Sequence, residues 1–183
     1  RISERYAPHN VYTSFEKMNA LKPSKGFTSS AFTPFKRKVD KKLAVPTAKA
    51  ITFDVSGFYY KVHYDYDPVS NTYLRSQAGK PHVDVTSQKD PAPRQLNPKV
   101  VIALIMPFST VKSSDGWRTA YATTGSGSML VFQDGNVTAG TWSKPNSRTQ
   151  FTFKDSAGAE IALNAGQTWV TVLDSGADAT YAP

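Results

Sequence analysis

The sequence predicts a mainly β protein, in which a twisted antiparallel sheet curls into a half-barrel or sandwich after one short N-terminal helix and a long basic linker. Short segments of alternating polarity recur from residue 49 onward and are separated by turn signals, as in sandwiches and barrels. The 183 residues include eighteen Ser and eighteen Thr but only three Glu and eight Leu, which disfavours helices. The chain also lacks a run of about 18 apolar residues, so it contains no segment typical of a membrane-spanning helix.

The first predicted element is a helix over residues 13–21. Thr13 or Ser14 can cap its start, and Pro23 ends it. Its apolar side chains recur at helical spacing, at Phe15, Met18 and Leu21. Residues 1–21 carry too much apolar surface to leave in water, so we expect them to pack either on the β-rich part or on another domain.

The remaining predicted elements are strands and turns. Val100–Met106 is apolar on both faces, which predicts the central buried strand. In 58–66, Tyr60, Val62, Tyr64 and Tyr66 share one predicted face. The other predicted strands are 50–55, 72–75, 118–123, 128–133, 137–142, 150–154 and 167–173.

Composition divides the chain into regions with different charge. Residues 1–45 contain ten Lys or Arg and three acids, a net charge of +7, whereas residues 46–183 contain twelve bases and eleven acids, a net charge of +1. Residues 22–47 are rich in Pro, Gly, Ser and Lys, which predicts a basic linker. Residues 48–173 form the predicted β-rich domain, and 174–183 a small, polar tail.

The basic linker predicts a polyanion as one class of partner. Its candidate contact residues are Lys36, Arg37, Lys38, Lys41 and Lys42. The alternative interpretation is a solvated linker without a partner, since charge runs often only solubilise a chain. Nucleic acid is supported by charge alone, because no aromatic-rich motif that stacks bases is present.

Motifs for catalysis, metals and cofactors are incomplete. The S-x-x-K spacing of penicillin-binding enzymes occurs twice, at 14–17 and 109–112, without its partner motifs. Gly125-Ser126-Gly127 lacks the third glycine of a dinucleotide loop, so it predicts a turn or a close backbone approach. Cys is absent, and the three His residues lack metal-ligand spacing. The sequence predicts no metal and no cofactor, and leaves open whether the protein is an enzyme.

Two clusters of polar residues are candidate binding sites. The first consists of Arg5, His9 and Asn10, and the second of Arg75, Lys80, His82 and Asp84 in a loop that closes a strand pair. Their charged hydrogen bonds suit an anion or a carboxylate. A pairing of His82 with Asp84 would tune the imidazole for proton transfer. The alternative is a structural network that pins the loop to the sheet.

Several segments in this order resemble the YerB-like bacterial lipoproteins, a domain-of-unknown-function family, over roughly residues 5–173. The segments are Pro8–Ser14, Tyr64–Asp67, Tyr73–Arg75, Gly79–Asp84, Gly125–Gly127, Val131–Gly135, Gly140–Trp142 and Asn164–Val170. Departures from the family pattern are Pro98-Lys99 between Asn97 and the next strand, and an ending extended to Pro183.

The resemblance implies a two-domain, extracytoplasmic protein that is lipid-anchored to the bacterial cell membrane through a Cys upstream of this chain. It implies that residues 1–21 are the remnant of the end of an N-terminal domain, which would be a partner of the β-rich domain. Because the first residue is Arg rather than Met, we expect a processed chain or a piece of a longer one.

Two functions follow as hypotheses. The leading one is a non-catalytic binding or assembly module for anionic cell-envelope polymer or an envelope protein. The alternative is a cell-wall-acting hydrolase or transferase, whose site the N-terminal domain would complete around Arg5, His9 and Asn10.

Overall fold

The described residues, 2–7, 9–29, 32–84 and 91–183 of a computed structural model, fall into two units, Arg1–Pro34 and Phe35–Pro183. The border between the units lies inside the predicted linker 22–47. The predicted limits of 1–21, 22–47, 48–173 and 174–183 stay predictions.

The first unit contains the predicted helix, α1, over Phe15–Leu21. The Ser14 hydroxyl accepts a hydrogen bond from the Lys17 N–H at 3.3 Å and caps the helix. A 3-10 turn over Pro23–Lys25 follows it. No residue of α1 is buried, so its apolar side chains face solvent in this structure.

Sixteen strands form among the described residues of the second unit. They are β1 Arg37–Lys38, β2 Ala50–Asp54, β3 Lys61–Asp67, β4 Thr72–Gln77, β5 Lys80–Pro81, β6 Val83–Asp84, β7 Arg94–Gln95, β8 Val100–Ile105, β9 Phe108–Ser113, β10 Gly116–Tyr121, β11 Gly125–Gln133, β12 Asn136–Lys144, β13 Thr152–Asp155, β14 Leu163–Asn164, β15 Thr168–Leu173 and β16 Ala179–Ala182. Two 3-10 turns accompany them, Phe58–Tyr60 and Gly176–Asp178.

Two five-stranded sheets organise this unit. Sheet I has the order β16-β2-β3-β4-β5 and is antiparallel. Sheet II has the order β13-β12-β11-β8-β15, and only its β8–β15 pair is parallel. β9 and β10 form a separate antiparallel hairpin. β1 pairs with β14 in parallel, and β6 pairs with β7 in the antiparallel direction. The described residues are mostly β, with one α-helix and several antiparallel sheets, and none of these sheets closes into a barrel. The predicted mainly β fold class is therefore confirmed.

The core lies on both sides of sheet II. One cluster joins the inner faces of the two sheets, with Tyr64 and Phe53 from sheet I and Phe132 from sheet II fully buried. The other cluster lies on the far face of sheet II around Trp142. The predicted central strand corresponds to β8, which is bordered by β11 and β15 and buried along almost all its length.

One predicted face is partly wrong. Val62, Tyr64 and Tyr66 alternate into the core as expected, but Tyr60 is 60% exposed. Gly57 has a φ of 65°, which starts the 3-10 turn Phe58–Tyr60 before β3 begins. The turn breaks the alternation that the sequence pattern extended one step too far.

Candidate functional site

Arg75, a predicted site residue, lies on the inner face of sheet I and is only 4% exposed. Its guanidinium carbon lies 4.2 Å from the ring centroid of Trp169 and 5.9 Å from that of Tyr64. Its Nη1 bonds Nδ1 of His82, and its Nη2 donates to Oε1 of Gln77 at 3.1 Å. The structure therefore brings two members of the predicted cluster, Arg75 and His82, into contact.

The electrostatics of this cluster follow from burial. Burial and then the neighbouring Arg75 cation lower the pKa of His82, which favours the neutral ring that can accept from the guanidinium. Burial also raises the pKa of Tyr64, whereas the Arg75 charge opposes that rise. Within the described part of the chain, no salt bridge joins Arg75 to a carboxylate. Two aromatic rings and neutral acceptors surround this cation.

The other members of the predicted cluster lie apart from Arg75. Lys80 is exposed on β5. Asp84 accepts from Nη2 of Arg94 at 3.2 Å instead of bonding His82, so the expected pairing of His82 with Asp84 is wrong. The His82 ring bonds Arg75, whereas Asp84 lies opposite Arg94 across the β6–β7 pair. His82 and Asp84 therefore have different partners.

The first predicted cluster lies in the first unit. The side chains of Arg5 and His9 are exposed, and Asn10 is half-buried. The Asn10 carbonyl accepts from the Ile2 N–H at 2.8 Å, which closes a loop around this cluster.

A buried carboxylate, Asp134, forms an acidic centre that binds Lys38 and Lys41 within the second unit. Asp134 is 6% exposed, and its carboxylate accepts from the Lys38 ammonium. Its Oδ1 also accepts from the Lys41 N–H at 3.1 Å and from the amides of Asn71 and Asn164 at 2.9 and 2.7 Å. Burial alone would raise the pKa of Asp134, but the hydrogen bonds from Lys38 and the two amides outweigh it and lower that pKa.

A second carboxylate extends this acidic centre. Asp40 accepts from the Lys99 ammonium at 2.6 Å and from the Asn71 amide at 3.1 Å. The Tyr66 hydroxyl donates to Oδ1 of Asn71 at 2.8 Å, which fixes the amide orientation. Residues 37–41 are thus tied to the sheets through side chains far away in the sequence.

Four of the five predicted polyanion-binding residues face outward. Lys38 points into the acidic centre and is not part of an exposed surface patch. We call the four exposed members the basic strip: Lys36, Arg37, Lys41 and Lys42. Arg37 Nη1 donates to the Asn164 carbonyl at 3.0 Å, and the Lys42 ammonium donates to the Pro68 carbonyl at 3.0 Å. Both hydrogen bonds are to neutral groups. A hydrogen bond from Ser70 and, to a smaller extent, the Lys42 charge lower the pKa of the Asp67 carboxyl.

A second candidate site was missed by the sequence reasoning. It is an open pocket of about 230 Å³ on the outer face of sheet I, and it is lined by Thr52, Phe58, Lys61, His63, Ser76, Ala78 and Gly79. Nδ1 of His63 lies 2.8 Å from the Thr52 hydroxyl, and its Nε2 lies 3.2 Å from Oδ1 of Asp65. The alternation in β3 placed His63 on the polar face, but the neighbours that complete the pocket depend on strand register.

Other chemistry receives no support from the described residues. Within the described ranges, no group of three or more His, Asp or Glu side chains lies close enough to hold a metal ion. Ser14, which stands in one of the S-x-x-K matches, caps α1. In the part of the chain that the structure describes, no helix is both long and apolar enough to cross a membrane.

Comparisons with known proteins agree with the architecture. A family model described as "Protein of unknown function (DUF3048) C-terminal domain" matches residues 51–170. The crystal structure of the YerB protein from Bacillus subtilis is similar, with a TM-score of 0.76 at 21% sequence identity. That match covers 100% of this chain and 59% of the other, so this chain spans less than two thirds of that protein's length. A search of curated proteins found no match.

Proposed function

We propose that this chain, which belongs to the family described as "Protein of unknown function (DUF3048) C-terminal domain", is a non-catalytic binding module. Its proposed ligand is an anionic cell-envelope polymer. The basic strip, held in place by the acidic centre, is the observation that carries this proposal. The proposal includes an extracytoplasmic location and a lipid anchor outside this chain, with upstream polypeptide as a partner. Those parts rest on the resemblance to YerB-like lipoproteins.

Fixed position distinguishes the strip from a mobile charged tail. The Lys38 ammonium and the Lys41 N–H both bond Asp134, so the backbone between the outward side chains is held on the sheets. Cations that are already positioned lose less conformational entropy when a ligand binds. A repeating anion can then contact neighbouring cations of the strip at once.

Charge balance favours an anion as the ligand. Residues 35–49 contain six Lys or Arg and one acid, Asp40, a net charge of +5. Lys38 and Lys99 already neutralise the buried Asp134 carboxylate and the partly exposed Asp40 carboxylate. The ammonium groups of Lys36 and Lys41 have no hydrogen-bond or ion-pair partner among the residues that the structure describes. These charges attract a polyanion at long range, and they release its counterions on contact.

The test measures binding of inorganic polyphosphate, a phosphate polymer, and of polyglutamate, a carboxylate polymer, by fluorescence anisotropy at several salt concentrations. Four cation contacts predict about a 50- to 150-fold loss of affinity for polyphosphate between 50 and 200 mM salt. A variant with Lys36, Arg37, Lys41 and Lys42 changed to Gln should lose most of the affinity and most of the salt dependence.

A matched control removes the same charge elsewhere. Lys80, Lys112, Arg148 and Lys154 are exposed on the second unit and lie outside the strip. Changing these four to Gln should preserve binding within about threefold if position matters as well as net charge. Equal loss in the two variants, or salt-independent binding, would show that the strip is not a binding surface.

A further inference from the structure

The outer-face pocket of sheet I lies outside the basic strip, and its polar groups form a row across three strands. Thr52 on β2 is the register partner of His63 on β3, and His63 is the partner of Ser76 on β4. Neighbouring strands are about 4.8 Å apart, so the three side chains present hydrogen-bonding groups at regular spacing. Both ring nitrogens of His63 are engaged, which fixes the orientation of its ring.

Among the described residues, Lys61 is the one Lys or Arg side chain that lines the pocket, and a carboxylate lies beside it. The Lys61 ammonium lies 3.6 Å from Oδ2 of Asp54, and Nε2 of His63 lies 3.2 Å from Oδ1 of Asp65. The Lys61 charge is thus compensated, and the Asp65 carboxylate lies beside the His63 ring. An anionic ligand would be repelled by the carboxylates of Asp54 and Asp65, and a cationic ligand by the Lys61 ammonium. The pocket therefore suits a neutral ligand that both donates and accepts hydrogen bonds.

Aromatic rings border this polar row. Phe58, which lines the pocket, is 65% exposed, and the adjacent Tyr59 and Tyr60 are 76% and 60% exposed. Phe58 and Tyr59 contact edge to face, with centroids 5.7 Å apart. The electron-rich face of an aromatic ring attracts weakly positive C–H groups. Exposed rings beside hydroxyl and imidazole groups match a ring that carries C–H bonds on its faces and hydroxyls on its rim.

Backbone strain also coincides with the pocket. Ala78 and Gly79 form the two-residue turn between β4 and β5, with φ values of 50° and 72°. Asn or Gly is the usual residue at the first of these positions, because Ala meets its own backbone there. Ala78 lines the pocket, where Asn would extend a longer side chain from the wall. A strained residue at a concave surface points to a ligand that needs the space.

We propose that this pocket binds one neutral saccharide unit. Thr52 and Ser76 bond its hydroxyls, His63 holds the Thr52 hydroxyl in position, and Phe58 stacks on its C–H face. The cavity of about 230 Å³ has room for about eight waters at roughly 30 Å³ each, which is suited to a single ring with its substituents. This site is independent of the basic strip, and either one can fail without the other.

The test titrates the protein with cellobiose, N,N′-diacetylchitobiose and glucuronate, and follows backbone amide resonances by NMR. At least one neutral disaccharide should shift the amides of His63, Ser76 and Gly79 with a Kd of about 1 mM or tighter, and should bind more tightly than glucuronate. Absence of such shifts, or tighter binding of glucuronate, overturns the proposal.

Two variants of the turn separate the pocket from the fold. Ala78→Asn and Ala78→Gly both relieve the strained conformation, so both should raise the melting temperature. Only Ala78→Asn fills the pocket, and it should weaken disaccharide binding by about tenfold or more while Ala78→Gly binds within about twofold of the parent. Phe58→Ala, at an exposed position, should also weaken binding by about tenfold. Equal binding by Ala78→Asn and Ala78→Gly contradicts the assignment.

Discussion

The buried carboxylate of Asp134 should stabilise the second unit, and Asp134→Asn tests this with little change in shape. The substitution keeps an acceptor at Oδ1 for the Lys41 N–H and the amides of Asn71 and Asn164. It removes the charge that strengthens those bonds, and it places an NH₂ group opposite the Lys38 ammonium.

The magnitude follows from these contacts. Hydrogen bonds to a charged group are worth about 1.5–3 kcal/mol, and neutral ones about 1 kcal/mol, so three weakened bonds cost at least about 1.5 kcal/mol. Breaking a buried ion pair costs about 3–5 kcal/mol, but the Lys38 side chain is 31% exposed and can turn towards water. We expect Asp134→Asn to lower the free energy of unfolding by about 3 kcal/mol.

Urea unfolding at neutral pH gives this difference directly. Lys99→Met is the matched control, because its partner Asp40 is 33% exposed and the pair should contribute less than about 1 kcal/mol. The folded pKa of Asp134 lies below its ordinary value of 3.8, so its contribution is complete above that value and is lost as the pH falls through the folded pKa. The gap between parent and variant should therefore shrink as the pH is lowered below 3.8. A loss below about 0.5 kcal/mol at neutral pH would refute the reasoning.

Two further predictions concern the cores. Arg75→Met should raise the pKa of His82, because the Arg75 charge is one of the two causes that lower it. Burial, the other cause, should keep this pKa below 6.5. NMR titration measures the change, and an unchanged pKa would contradict the contact. Gly127→Ala should destabilise the protein by about 2 kcal/mol in thermal unfolding, because the new Cβ would lie 2.6 Å from the Ile105 carbonyl oxygen and 2.7 Å from Trp142 Nε1. Gly176→Ala is the matched control, because its Cβ meets open space and, as at Gly127, its φ lies outside the positive range.

Local patterns predicted most of the elements, because strand and helix periods are written in neighbouring residues. The buried run of β8 and the Ser14-capped helix are examples. The family resemblance was confirmed, since it rested on several short motifs in a fixed order. The lipoprotein character and the envelope location stay predictions.

Long-range pairings were beyond the sequence. Lys38 was interpreted as one of five equivalent cations, because nothing near it indicates that Asp134, 96 residues later, accepts its ammonium. The outer-face pocket likewise needs the register that sets Thr52 beside His63, and a strand pattern gives a face but not a partner. The predicted clusters were grouped by nearness in the chain, which placed Asp84 with His82 although their partners differ.

The parallel pairing of β1 with β14 also determines when the unit can be completed. Arg37 can pair only after Leu163, its partner in the β1–β14 register, has been synthesised. β2 likewise pairs with β16, at Ala179–Ala182. During synthesis from the N-terminus, β1 and β2 therefore stay without these partners until residues 163–182 are made. Such distant pairings slow folding and leave strand edges open meanwhile. Loss of β16 would leave β2 as the edge strand of sheet I, with the backbone groups that pair with Ala179–Ala182 exposed.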